Sequence, residues 1–132
     1  MSAHVSLPGT DARKRTRARR ERHGRHAEWL AAAYLRLAGY QILARRLKTK
    51  LGEIDLVVRR GDLLIAVEVK ARGDVDAALE AVTWRQRQRI ERCMTLFLQR
   101  RTDLRQCSLR FDVFIVRPWR RPVHLRDAWR PS

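Results

Sequence analysis

Residues 52–72 read GEIDLVVRRGDLLIAVEVKAR. Two runs within them, Glu53 to Val58 and Leu63 to Lys70, are rich in Ile, Leu and Val, which predicts two β-strands. The intervening Arg59-Arg60-Gly61-Asp62 is a turn sequence, so the strands are predicted to pair as an antiparallel hairpin. Side chains alternate faces along a strand, which puts Glu53 and Asp55 on one face and Ile54, Leu56 and Val58 on the other. Likewise Glu68 and Lys70 share a face opposite Ile65, Val67 and Val69. With Arg60 and Gly61 as the two central turn residues, Arg59 opposes Asp62, Asp55 opposes Ala66 and Glu53 opposes Glu68. Four ionisable side chains then project from one face, while six apolar ones make a continuous surface on the other. A one-residue slip would split that surface, so the hydrophobic pattern selects this face assignment.

Upstream, HAEWLAAAYLRLA from His26 to Ala38 is helix-forming and apolar around most of its circumference, with Gly39 as a C-terminal stop. This predicts a largely buried helix with Trp29 in the core. Tyr40 to Leu47 reads as a strand leading into a basic loop with Arg45, Arg46, Lys48 and Lys50. Downstream, helix is predicted from Asp76 to Arg101 with a break near Trp84. Its second half spaces Ile90, Cys93, Met94, Phe97 and Leu98 as one inward stripe, with Arg85, Arg89 and Arg92 opposite. Leu109 to Val116 alternates into another strand, and Val123 to Ala128, beyond Pro118 and Pro122, reads as a short edge strand. The order α-β-β-β-α-β(-β) predicts an α/β fold with a mixed sheet flanked by helices.

The whole chain has 132 residues, of which 45% are hydrophobic, enough for one modest core and one domain. Lysine and arginine number 30 against 14 acids, a net charge of +16. That excess excludes an acidic or neutral metabolic enzyme as the default and points to a polyanionic partner, which arginine engages bidentately. Residues 1–22 carry a run of arginines and almost no apolar side chains, so they are predicted to be a disordered basic arm preceding a domain over 23–132. Two cysteines, Cys93 and Cys107, are too few for a disulfide framework. No stretch approaches a membrane helix, so a soluble, reducing, cytoplasmic setting is expected.

On the charged hairpin face, Asp55 and Glu68 are diagonal neighbours, roughly 7–8 Å apart at the backbone and within reach of one ion. Clustered carboxylates at Glu53, Asp55 and Glu68 repel one another unless a cation lies between them. Their oxygens suit Mg²⁺ or Mn²⁺, which take one or two carboxylates and complete their shell with water and substrate phosphate. Lys70 would place positive charge against an attacked phosphate. That is the chemistry of a phosphodiester hydrolase; the structural alternative is an ordinary half-exposed hairpin with cross-strand ion pairs.

Asp55 followed by Glu68-Val69-Lys70 resembles the PD-(D/E)xK pattern of the restriction-endonuclease-like superfamily, whose core has the order αβββαβ. Further pieces resemble the uncharacterised YraN family: the helix around Glu28, the Gly39-Tyr40 junction, Ala81-Val82 before the arginine-rich helix, and Arg110-Phe111-Asp112-Val113 on the late strand. That family is related to archaeal Holliday-junction resolvases, which are dimeric, metal-dependent nucleases. The resemblance spans roughly residues 23–128. It implies Asp55 and Glu68 as metal ligands, Lys70 as the catalytic lysine and Glu28 as an additional helix-borne acid, with a homodimer as the assembly. Glu28 also heads the stripe Ala31, Ala32 and Leu35, where an unpaired acid is costly; its structural alternative is an ion pair with Arg25 or Arg36. Relatives commonly carry a Lys-Gln pair on the second long helix, where this chain has Gln86 and Arg87, so that helix brings no lysine to the site.

The function expected is therefore a metal-dependent endonuclease acting on structured or branched DNA, with Arg25, Arg45, Arg46, Lys48, Lys50, Arg85 and Gln86 as nucleic-acid contacts. The alternative is a nucleic-acid-binding module that keeps the fold without cleaving. Trp84, Trp119 and Trp129 lie near arginines, as base-stacking platforms do, although core packing is the commoner role of tryptophan.

Overall fold

The computed structural model describes residues 25–131. The basic arm expected over 1–22 lies outside them. Residues 25–37 form helix α1. It stops as expected at Gly39: the Tyr40 N–H reaches back to the Leu35 carbonyl and the Gly39 N–H to that of Arg36 (2.9 and 3.0 Å), the bonding of a Schellman cap. Five strands follow, β1 (Gln41–Thr49), β2 (Gly52–Arg60), β3 (Leu63–Ala71), β4 (Ser108–Val116) and β5 (Val123–Trp129). Between β3 and β4 come α2 (Val75–Ala81), α3 (Trp84–Arg100) and a 3₁₀ turn at Thr102–Leu104. The sheet order is β1-β2-β3-β4-β5. Only β3 and β4 run parallel, because a crossover through α2 and α3 joins them.

The predicted element order is realised, including the helix break. Thr83 caps α3 by accepting the Gln86 N–H (3.2 Å), and Asp74 caps α2 by accepting that of Ala77 (2.7 Å). One layer of the core packs α2 and α3 on the sheet through Ala78, Ile90, Cys93 and Met94 against Val57, Leu64, Ala66 and Val113. The other packs α1 through Ala31, Ala32 and Leu35 against Leu56, Val58, Ile65 and Val67. A fully buried leucine such as Leu35 contributes about 1.5–3 kcal/mol.

Several expectations need correction. The basic loop after β1 is strand through Thr49, so Arg45, Arg46 and Lys48 lie in the sheet and only Lys50 is in the turn. Helix α1 is buried along its alanine stripe alone, and Trp29 is exposed (62%) with Leu30, Tyr34 and Leu37. The small alanines bring the helix close to the sheet, leaving the larger side chains on its flanks. The hairpin turn centres on Gly61 and Asp62, since Arg60 pairs with Leu63 and Leu56 with Val67. Glycine at the first central position, with φ +60°, is the requirement of a type II′ turn. The register is offset by two from the predicted one, which leaves the face parity of the paired residues unchanged. Ile54 departs from that parity and packs with the α3 layer.

Strand β4 carries a buried acid, Asp112, whose side chain is inaccessible to solvent. Arg110 donates to both of its oxygens (2.8 Å each), His124 Nε2 lies 2.7 Å from Oδ2, and the Asp127 N–H donates to Oδ1 (2.9 Å). Burial pushes this carboxyl up, but the bonds from His124, Arg110 and the Asp127 amide outweigh it and hold Asp112 below the ordinary carboxylate range. Its charge therefore stabilises the fold fully above the unfolded-state value of 3.8, and that contribution fades as pH falls through the lower folded value. Asp112→Asn leaves the Arg110 charge without its partner and should cost about 3–5 kcal/mol near neutral pH. Urea unfolding should show the gap to wild type narrowing below pH 3.8; a gap constant down to acid pH would mean the charge contributes nothing.

Candidate active site

The β2–β3 ladder runs from the turn only as far as Leu56 and Val67. At the next step the Val69 N–H donates to Asp55 Oδ2 (2.8 Å), so a side chain occupies the fork where strand pairing stops. In the ladder's register Asp55 stands level with Glu68 rather than with Ala66, and the structure brings the two predicted ligands closer in register than the sequence reading placed them. On the other side, β1 pairs Arg45 with Leu56 and Leu47 with Ile54, skipping Arg46. Arg46 has φ +52°, and its Nε donates to Glu28 Oε2 of α1 (2.6 Å). Glu28 is thus paired with Arg46, neither with Arg25 nor with Arg36.

Glu68 is the innermost group, 4% exposed. Its Oε1 accepts the Gln86 Nε2–H from α3 (2.8 Å), so Gln86 reaches the site as its place on the inward stripe predicts. Its Oε2 is buried and has no hydrogen-bond partner among the described residues. Burial pushes the Glu68 carboxyl well above its ordinary value, the Asp55 carboxylate pushes it further, and only the Lys70 charge opposes the rise appreciably. Glu28 is raised as well, by burial and by Asp55, against the lowering bond from Arg46. Acids from α1, β2 and β3 therefore converge, with Arg46 and Lys70 as their cationic neighbours.

Glu53 stays outside this cluster. It is exposed and pairs across the sheet with Lys48 of β1, not with Glu68. Among the described residues no group of three or more His, Cys, Asp or Glu gathers closely enough to hold a metal ion. The donor-less oxygen of Glu68 beside Asp55 still fits a hard cation that takes two carboxylates and fills the rest of its shell from water and phosphate.

A cleft of about 450 Å³ opens beside Glu28, lined by Arg25, Trp29, Arg45 and Arg46. Lys48, Lys50 and Arg85 are exposed. Sequence reading missed Arg46 as the partner of Glu28, since 18 residues separate them and no local spacing links them. Trp129 belongs to the core, stacked on Phe111 at 5.3 Å. Trp84 is exposed at the start of α3.

An α/β chain with an acid pair and a lysine at the fork of a mixed sheet is the frame in which its relatives can be placed. Residues 27–116 match the family described as uncharacterised protein family UPF0102, and the chain belongs to that YraN-like family. It is 54% identical over 114 residues to UPF0102 protein amb4503 of Paramagnetospirillum magneticum, covering 83% of this chain and 88% of the relative. A UPF0102 protein of Parvibaculum lavamentivorans is 56% identical over 110 residues, covering 83% of each chain. One from Chelativorans sp. is 50% identical over 121 residues, covering 92% of this chain and 97% of the relative.

Two adjoining carboxylates, one of them with a buried oxygen that has no donor among the described residues, make the fork a place where stability is sacrificed. Glu68→Gln keeps the bond to Gln86 and gives Asp55 an N–H in place of a second negative group. In EDTA this variant should melt about 4 °C or more above wild type. A midpoint at or below that of wild type would show that the Glu68 carboxylate is not under strain.

Proposed function

We propose that this chain is a divalent-metal-dependent nuclease with a restriction-endonuclease-like core, hydrolysing phosphodiester bonds in structured or branched DNA. The observation that carries the reading is the buried, donor-less Oε2 of Glu68, set against Asp55 and followed two residues later by Lys70 on a protein of net charge +16. The αβββαβ order, with the acids on β2 and β3, supports the same reading.

In this proposal Asp55 and Glu68 hold Mg²⁺ or Mn²⁺, and Glu28 is the third acid once Arg46 turns to phosphate. Glu53 lies at the rim beside Lys48. The ion would supply Lewis acidity toward the phosphodiester. Gln86 holds the Glu68 carboxylate in its rotamer, and the Val69 N–H does the same for Asp55. Lys70 stabilises negative charge that builds on the attacked phosphate. Arg25, Arg45 and Arg46 line the cleft through which the backbone approaches, with Lys48, Lys50 and Arg85 as further phosphate contacts. Cytoplasmic nucleic acid is the natural target, and a homodimer would suit a two-fold branched substrate.

A non-cleaving nucleic-acid-binding module is the competing reading. It is favoured by the engagement of Glu28 with Arg46 and by the uncharged Gln86 on α3.

A panel of junctions, flaps, single strands and duplexes with Mg²⁺, Mn²⁺ or EDTA decides between them. Cleavage of branched substrates should require metal and disappear in Asp55→Asn, while that variant binds DNA in EDTA as well as wild type or better, having one repelling charge fewer. Lys70→Met should also abolish cleavage but bind slightly more weakly. Calorimetric uptake of Mn²⁺ should weaken in Glu68→Gln. A wild type that cleaves nothing with either metal hands the case to the binding module, and activity that survives EDTA belongs to another protein.

Both readings require electrostatic binding. Affinity for duplex should fall with added salt at a slope of about 0.9 per phosphate contact on a double-logarithmic plot. A nearly flat dependence would remove nucleic acid as the partner.

A further inference from the structure

The turn joining β4 to β5 breaks a local rule without any packing gain. Residues 117–120 close a β-turn through the Arg120 N–H and the Arg117 carbonyl (3.5 Å), with Pro118 second and Trp119 third at φ +60°. Proline followed by a left-handed residue is the type II pattern, in which glycine is the usual third residue because a Cβ crowds the neighbouring carbonyl. Here that position carries the bulkiest side chain, and the side chain gains nothing from the fold: Trp119 is fully exposed, at 103%.

The loop is built to hold that ring outward. Arg117, itself half-buried, donates from Nε and Nη2 to the Arg121 carbonyl (3.1 and 2.8 Å), closing the loop that carries Trp119. Pro118 and Pro122 stiffen its two ends. Arg120 and Arg121 follow Trp119 directly and are exposed. A strained residue fixed by its surroundings, with no contact to offset the strain, is the mark of a position kept for a ligand.

Its location supplies the ligand's chemistry. Strands β3 and β4 are parallel, with Lys70 beside Ile115 and Ala71 beside Val116. The Arg72 N–H continues this pairing onto the Val116 carbonyl (3.1 Å). Trp119 follows Val116 by three residues, the last two within the turn, so it stands at the same end of the sheet as Lys70 and no more than roughly 14 Å beyond it along the strands. That reach covers a few nucleotides at most.

We propose that Trp119 is a stacking platform for an unpaired base, seating a single-strand–duplex boundary a few nucleotides from the Asp55–Glu68–Lys70 site; this rests on the nucleic-acid reading of that site. An exposed indole followed directly by two exposed arginines offers a face for a base and charges for its phosphates, and every base has a π-face, so the platform recognises unpaired structure rather than sequence.

The test uses the full chain in EDTA, so that no cleavage is needed, and measures fluorescence anisotropy with two labelled probes: a blunt duplex and the same duplex with a single-stranded tail. Trp119→Gly removes the ring and suits the turn, so its melting midpoint should equal or exceed that of wild type. Its affinity for the tailed probe should drop about fivefold or more relative to the blunt one, with an unchanged salt slope. Trp119→Phe should restore most of the loss. Equal affinities of wild type and Trp119→Gly for the tailed probe overturn the proposal, and so does an equal loss on both probes or a lowered melting midpoint. A wild type that binds neither probe at low salt overturns it together with the nucleic-acid reading. Intact tail preference in a protein that never cleaves with metal overturns only the nuclease reading.

Discussion

The Val69 amide of β3 bonds to the carboxylate of Asp55, and much of the site's geometry follows from that substitution of side chain for strand pairing. A charge-assisted bond of this kind contributes about 1.5–3 kcal/mol, enough to hold an acid where the ladder would otherwise continue. Beyond the end of that ladder at Leu56 and Val67, β2 stays paired with β1 alone, and Ile54 joins the α3 layer instead of following Leu56 and Val58 toward α1. Opposite Asp55, Arg46 leaves the β1 register and turns to Glu28. The fork thus brings Glu28 of the α1 layer and Gln86 of the α3 layer to the acids of the sheet at a single point.

Two acids on neighbouring strands show what the fold does with buried charge. Asp112 on β4 is adjacent to Val67, one residue from Glu68 in the paired register. Asp112 has a donor set that covers both oxygens, and its carboxyl is held low. Glu68 has one donor, a second carboxylate beside it and a raised carboxyl. Donors are not scarce in a chain with 30 lysines and arginines, so the bare oxygen of Glu68 is not a shortage. Of the two acids, Glu68 is the one whose second oxygen the described residues leave without a donor.

The legible part of this structure is what depends on local pattern. Strand alternation set the faces of Leu56, Val58, Ile65 and Val67, and the spacing of Ile90, Cys93 and Met94 set the inward side of α3. Asp55, Glu68 and Gln86 meet as their places in those patterns require. Other features rest on choices that a pattern leaves open. Both Arg60-Gly61 and Gly61-Asp62 are acceptable turn centres by composition, and only the pairing of Arg60 with Leu63 decides between them. The Arg46–Glu28 pair depends on a backbone kink in a strand, for which arginine carries no signal. Trp29 reads as core from its apolar surroundings, yet the alanines that make α1 fit closely also leave no depth to bury an indole.

Under the proposed function the acidic centre of a basic protein has to receive a substrate of like charge, and length scale resolves the conflict. At physiological ionic strength exposed charges are screened beyond roughly 8 Å, while buried ones are screened much less. The exposed basic side chains such as Arg45, Lys48, Lys50, Arg85, Arg120 and Arg121 spread over the surface, so an approaching polyanion meets a positive field from several directions. The field of Glu28, Asp55 and Glu68 is confined to their fork, where Arg46 and Lys70 partly cancel it. Under the proposed function the surface arginines govern the approach of nucleic acid and the carboxylates govern only what happens in the last few ångströms. Under the same proposal a cation between Asp55 and Glu68 would convert repulsion of the phosphate into attraction, so acids that repel one another across the fork would become favourable once ion and substrate arrive together.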